Sequence, residues 1–145
     1  MIRPIFIAIF FLSFLPECKT QNLEKMINEE YIMIDITSFD YVDGNGNKYS
    51  ITTNTITYDP ITPLESSTGT YSGGEPYTIN INLTQFETLQ KTAMNCINKK
   101  DGQTKQRNKG TGTLIIQPGN KTYLFEMNSS QKKEIEEAIQ LVTKK

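Results

Sequence analysis

At Leu83-Thr84 the hydrophobic period of this chain changes from two to 3.6, and that switch limits the folds open to it. Before it, Tyr77, Ile79, Ile81 and Leu83 alternate with Thr78, Asn80 and Asn82. That is the pattern of a strand with one apolar face. After it, Phe86, Leu89, Ala93, Cys96 and Ile97 fall on one face of a helix. Thr84 and Glu87 have capping-box spacing, the hydroxyl accepting an orphan amide and the carboxylate reaching back, so the helix is predicted to start at Thr84. The same order recurs. Tyr123, Phe125 and Met127 alternate, Ser129 or Ser130 supplies a cap, and Ile135, Ala138, Ile139 and Val142 make a second stripe. Lys144-Lys145 suit the negative end of that helix. Strands that feed amphipathic helices need a sheet whose apolar face those helices cover.

The remaining strands follow from alternation and turn chemistry. Ile32, Ile34 and Ile36 oppose Met33, Asp35 and Thr37, which predicts a first strand from Tyr31. Asp43-Gly44-Asn45-Gly46-Asn47 is a turn by composition. Tyr49, Ile51 and Thr53 form a second strand, and Ile56 and Tyr58 are out of phase with it. A bulge or tight turn near Asn54 accounts for the slip. Leu114 and Ile116 lie in a strand, and Pro118-Gly119 predicts a type II turn into the strand of Tyr123. Hairpin connections make neighbouring strands antiparallel. The expected fold is α+β, a five- or six-stranded mostly antiparallel sheet with two helices packed on one face, formed by residues 31–145 as a single domain.

Two connections are long and polar. Residues 59–74, DPITPLESSTGTYSGG, are punctuated by Pro and Gly and cannot be helical. A connection of that length inside a compact domain is either mobile or functional. Tyr71-Ser72-Gly73-Gly74-Glu75-Pro76-Tyr77 is its best recognition element, since Tyr offers large contact area at low rotamer entropy and Ser and Gly adapt. Residues 98–110 gather Lys99, Lys100, Lys105, Arg107 and Lys109 against Asp101 alone. Such a loop is an anion-facing patch or a solvated connection. No aromatic residue interleaves with these cations to stack bases, so nucleic acid is not the expected partner. The candidate binding residues are therefore Tyr71, Tyr77, Lys99, Lys100, Lys105 and Arg107.

Residues 1–21 read as an address. Arg3 precedes an apolar run from Ile5 to Leu15, Pro16-Glu17 ends it, and Cys18 follows. The run falls short of the ~20 apolar residues of a spanning helix and matches a secretory signal. The order charged start, short apolar run, Cys and polar Lys19-Thr20-Gln21-Asn22 resembles Gram-negative lipoprotein precursors, although Pro16-Glu17 stands where that family places small residues. The resemblance implies a lipid anchor on Cys18 and the periplasmic face of the inner or outer membrane. Cleavage after Thr20 into a free exported protein, or an uncleaved weak tether, are the alternatives. Residues 1–20 are thus expected to be a signal peptide, and 21–30, with Leu23, Met26 and Ile27 at helical spacing, a tether.

Composition removes many activities. The chain has no His and no Trp, two Cys (Cys18 and Cys96), and a net charge of −1. Without His there is no Ser-His-Asp or Cys-His nucleophile, and zinc sites built on His or clustered Cys are excluded. Cys96 sits on the apolar stripe of its helix, which suits a buried inert thiol. The 43–54 segment fails as a calcium loop, because Lys48 stands where Gly is needed and Asn54 where a bidentate Glu is needed. Asp35, Asp40, Asp59, Glu65 and Glu75 could be drawn into a hydrolytic pair, but no spacing selects two of them. No catalytic residue, metal ligand or cofactor is assigned. The expectation is a small non-catalytic exported envelope protein that binds another protein as an inhibitor, immunity factor or assembly subunit. The alternative is a binder of a small molecule or envelope glycan through residues 59–77 and 99–109.

Overall fold

The computed structural model describes residues 35–144. Cys18, the expected signal segment, the tether and the start of the strand expected from Tyr31 lie outside the described residues. The described chain forms seven strands and two helices. They are β1 (Ser38–Val42), β2 (Lys48–Ile51), β3 (Thr55–Asp59), β4 (Tyr77–Asn80), α1 (Leu83–Asn98), β5 (Gln103–Thr104), β6 (Gly112–Gln117), β7 (Lys121–Phe125) and α2 (Ser130–Thr143). One open sheet has the order β4-β3-β2-β1-β6-β7-β5, and each neighbouring pair is antiparallel. The architecture is α+β as expected, with seven strands in place of five or six. The added strand is the two-residue β5, which lies inside the basic connection and pairs with β7.

Register lines up one apolar face. Ile79, Ile56, Ile51, Phe39 and Ile116 stand opposite one another across five strands. A second row is Tyr77, Tyr58, Tyr49, Tyr41, Leu114 and Tyr123. Phe86, Leu89, Ala93, Cys96 and Ile97 of α1 and Ile135 and Ile139 of α2 join this face in one core cluster. Each fully buried Ile or Leu there contributes roughly 1.5–3 kcal/mol of transfer free energy. The opposite face carries Asp40, Ser50, Thr57 and Thr78 in register. Its polarity reflects water on that side: Thr57 and Thr78 are exposed, and their hydroxyls are 3.2 Å apart.

Several boundaries differ from the sequence reading. Residues 35–37 are not in a strand, although Ile36 is buried and Thr37 N–H donates to Gln117 O at 3.0 Å. The strand proper is 38–42, where Phe39 and Tyr41 point to the core across Asp40. The helix cap is not Thr84. Strand β4 stops at Asn80, and Asn82 caps α1: its Oδ1 accepts from Gln85 N–H and Gln85 Oε1 accepts from Asn82 N–H, both at 2.9 Å. A capping box is present, but two residues earlier and built from amides, and Leu83 is left exposed. Ser129 caps α2. The slip between Ile51 and Ile56 is a tight turn, closed by Thr52 N–H to Thr55 O at 2.9 Å. In the β6–β7 turn Gly119 has the positive φ expected of it, and Asn120 beside it is also at positive φ.

Candidate functional site

Strand direction collects the connections. Val42 pairs with Lys48 and Thr113, Lys48 with Asp59, Tyr58 with Tyr77, and Gly112 with Phe125. Segments 43–47, 60–76, 99–102 and 126–129 therefore lie at the same end of the sheet, and 105–111 returns to it at Gly112. They also touch. A Cβ on Gly73 would strike Asn47 Oδ1 and lie 2.7 Å from Pro60 Cβ. One on Gly44 would lie 2.6 Å from Gly110 O, and one on Gly110 2.6 Å from Met127 Sδ. These segments make one continuous loop end; Tyr71, Lys99 and Lys100 fall on it, Lys105 and Arg107 on the stretch that returns to it, and Tyr77 opens β4 beneath it.

The 60–76 connection is ordered by named bonds. Asn47, buried to 3 % exposure, is the hub. Its Nδ2 donates to Asp43 Oδ2 at 2.8 Å and to Tyr71 OH at 3.1 Å, and its Oδ1 accepts from Ile61 N–H at 3.2 Å. Asp43 also accepts from the amides of Asn45 and Asn47, so its carboxylate builds the β1–β2 turn. Tyr58 OH donates to Gly73 O at 2.7 Å, and Gly73 N–H to Ile61 O at 3.1 Å. At the apex, Thr62 donates its N–H and its hydroxyl to Glu65 Oε2, each at 2.8 Å. Those bonds hold the Glu65 carboxyl below the usual carboxylate range. Leu64 rides on this turn and is 98 % exposed.

Beneath the rim runs the tyrosine row. Neighbouring ring centroids are 6.5 Å (Tyr41–Tyr49), 4.8 Å (Tyr49–Tyr58) and 4.9 Å (Tyr58–Tyr77) apart, tilted by 30–36°. Cross-strand register puts them there, because Tyr falls at the same row of β1, β2, β3 and β4. The ends of the row differ most: Tyr41 is fully buried, Tyr77 at the sheet edge is 37 % exposed, and Tyr49 is half-buried beside the buried Tyr58. Tyr41 OH donates to Glu136 Oε1 at 2.9 Å, and Lys132 Nζ pairs with the same carboxylate at 2.9 Å. Burial first, then the Glu136 charge, raises the Tyr41 phenol well above its usual range. Burial also raises Tyr49, which is only partly covered. A cleft of about 310 Å³ opens between the 43–47 turn and α2, with Tyr49, Gly110, Met127, Lys132, Glu136 and Ile139 among its walls.

The basic connection is not a loose loop. Gln103 Nε2 donates to Ile97 O and Lys99 O, each at 2.8 Å, and to Cys96 O at 3.3 Å, which satisfies the C-terminal carbonyls of α1. Gln131 of α2, 1 % exposed, donates to Lys99 O at 3.2 Å and to Asp101 O. Lys99 itself is engaged, with Nζ 2.7 and 2.9 Å from the two Glu134 oxygens. Among the described residues, Lys100, Lys105, Arg107 and Lys109 have no carboxylate at ion-pair distance. Of the candidate carboxylates, Asp40 pairs with Lys48 at 3.0 Å, while Asp59, Glu65 and Glu75 are exposed. Cys96 is fully buried, its Sγ donating to Gln131 O at 3.5 Å. Burial, reinforced by Glu134, pushes its thiol up to about 12.

Sequence reasoning found Tyr71 and Tyr77 but not the residues that position them. Asn47 looked like turn composition, and its burial was not readable from the DGNGN string. Leu64 was passed over because it interrupts a polar segment singly. Comparison with protein families, with characterised proteins and with solved structures finds no match.

Proposed function

We propose that this chain is a small non-catalytic exported protein of the bacterial envelope, anchored through Cys18 or released after Thr20, that acts by docking another protein on its loop end. The observation that carries the reading is the stapled 60–76 connection: bonds from Asn47 and Tyr58 fix a long surface loop that presents Leu64, 98 % exposed, and Tyr71 to solvent. Elsewhere on this end of the sheet Tyr71 and Tyr77 are each 37 % exposed and Met127 57 %. Aromatic and aliphatic anchors on a stapled loop are what a protein contact uses, because little ordering entropy remains to be lost on binding. The bonds from Asn47, Tyr58 and Gln103 supply that order. Inhibitor, immunity and assembly roles all require such a surface.

One observation favours a second reading, a small-molecule or glycan ligand. The cleft beside Tyr49 has the lower volume typical of ligand sites. A photo-crosslinking residue at position 64 or 71 in the full-length protein, expressed in its own envelope, separates the two. Docking predicts a discrete protein adduct that is lost when the position 71 probe is combined with Leu64→Asp. A well-expressed protein that gives no adduct from either position refutes it.

A further inference from the structure

The loop end is electrically two-sided, and the asymmetry follows the strand order. Residues 59–76, on the β4 side, carry Asp59, Glu65 and Glu75, all exposed, and no Lys or Arg. Residues 99–109, on the β7–β5 side, carry five cations against Asp101. Glu134 neutralises Lys99. What remains is a net −3 on one half and a net +3 on the other. The 43–47 turn lies between them and touches Gly73 on one side and Gly110 on the other. Among the described residues no ion pair joins Asp59, Glu65 or Glu75 to Lys100, Lys105, Arg107 or Lys109, so both sets of charges are open to a partner.

A surface that is negative on one side and positive on the other is complemented by the same surface turned over. A two-fold axis along the sheet normal carries the acidic half of one copy over the basic half of the second. It does the same in reverse, so the contact is isologous and closes. Leu64 lies in the acidic half, and Met127 packs against Gly110 next to the basic half. The rotation therefore brings each exposed Leu64 to the Met127 side of the other copy. We propose that the loop end is the interface of a two-fold homodimer, held by Glu65 and Glu75 of each copy against Lys105 and Arg107 of the other. This rests on the reading of the loop end as a docking surface and names a second copy as its partner.

Sedimentation velocity tests it on protein purified from cells expressing the complete chain. The wild type is expected to sediment as a dimer at about 50 mM salt and to dissociate at least about tenfold more readily at about 0.5 M. Glu65→Lys/Glu75→Lys and Lys105→Glu/Arg107→Glu are each expected to be monomeric alone. Mixed in equal amounts they restore complementary halves and should recover the dimer. All four positions are exposed, so circular dichroism should show both variants folded. A monomeric wild type, reversed variants that dimerise like the wild type, or a mixture that stays monomeric overturns the homodimer. A monomeric wild type whose position 71 still crosslinks to a different protein in a Leu64-dependent way overturns the homodimer while the docking surface stands.

Discussion

Replacing Asn47 by Ala tests how the loop end is held. The side chain is 3 % exposed and makes three bonds: to Asp43 Oδ2 at 2.8 Å, to Tyr71 OH at 3.1 Å, and from Ile61 N–H at 3.2 Å. The first goes to a carboxylate and is worth about 1.5–3 kcal/mol. Losing the third leaves the Ile61 amide short of an acceptor, for roughly another 1 kcal/mol. Tyr71 is exposed enough for water to replace the second at small cost. The expected loss is about 2–4 kcal/mol, a large share of the ~5–15 kcal/mol that holds a domain together. The melting temperature should fall by roughly 8–16 °C. Urea unfolding gives the global figure as a shift in midpoint at constant slope. Hydrogen exchange gives the local one: the amides of Ile61 and Gly73 should lose protection well beyond the global change, while those of β1 and β6 follow it. A loss under about 1 kcal/mol, or Ile61 and Gly73 amides still tracking the global opening, would show that the segment is held by something else.

Four further outcomes follow. Asn82→Ala should cost about 1 kcal/mol in urea unfolding, and Thr84→Ala less than about 0.5, the reverse of what the Thr84 capping box predicts. Tyr41 and Tyr49 titrate above their unfolded value near 10, so they contribute stability below that pH and lose it as pH rises; above about pH 10 the unfolding free energy should fall by about 1.4 kcal/mol per pH unit for each, and a flat profile would contradict their burial. Iodoacetamide at pH 8 should modify Cys96 only at the rate of unfolding, and labelling in the fully folded protein at the rate of a free thiol would refute its enclosure. Lys99→Ala should cost less than about 1 kcal/mol, because its Glu134 pair is well exposed on both sides.

Periodicity was a sound guide where one face meets the core and a poor one where a side chain bonds its own backbone. The stripes Phe86–Ile97 and Ile135–Ile139 are buried as their spacing requires. The alternation through Leu83 misled, because Asn82 and Gln85 exchange bonds and start the helix while the apolar pattern still reads as strand. Amides do not stand out in a polarity pattern, yet they also set the site. Asn47, Gln103 and Gln131 each bridge segments far apart in sequence or close a helix end. Strand β5 was illegible for a related reason. Its two residues, Gln103 and Thr104, have no apolar signal and pair only because β7 offers an edge beside them. The charges of the basic connection were legible, but Lys99's engagement was not, since Glu134 lies 35 residues away.

Gln131 carries a consequence for how the helices choose their register. The apolar stripes of α1 and α2 would accept several offsets, since hydrophobic contact has no direction. An amide buried to 1 % exposure does not. Sliding α2 by one turn would move Gln131 about 5.4 Å and take its donors out of reach of the Lys99 and Asp101 carbonyls. The slipped packing would strand a buried polar group at a cost of roughly 1–3 kcal/mol, with no such cost in the native one. The residue thus works as an index pin. It adds little to the depth of the native well, but it raises the neighbouring wells, and with them it fixes where Lys100 is held between Lys99 and Asp101.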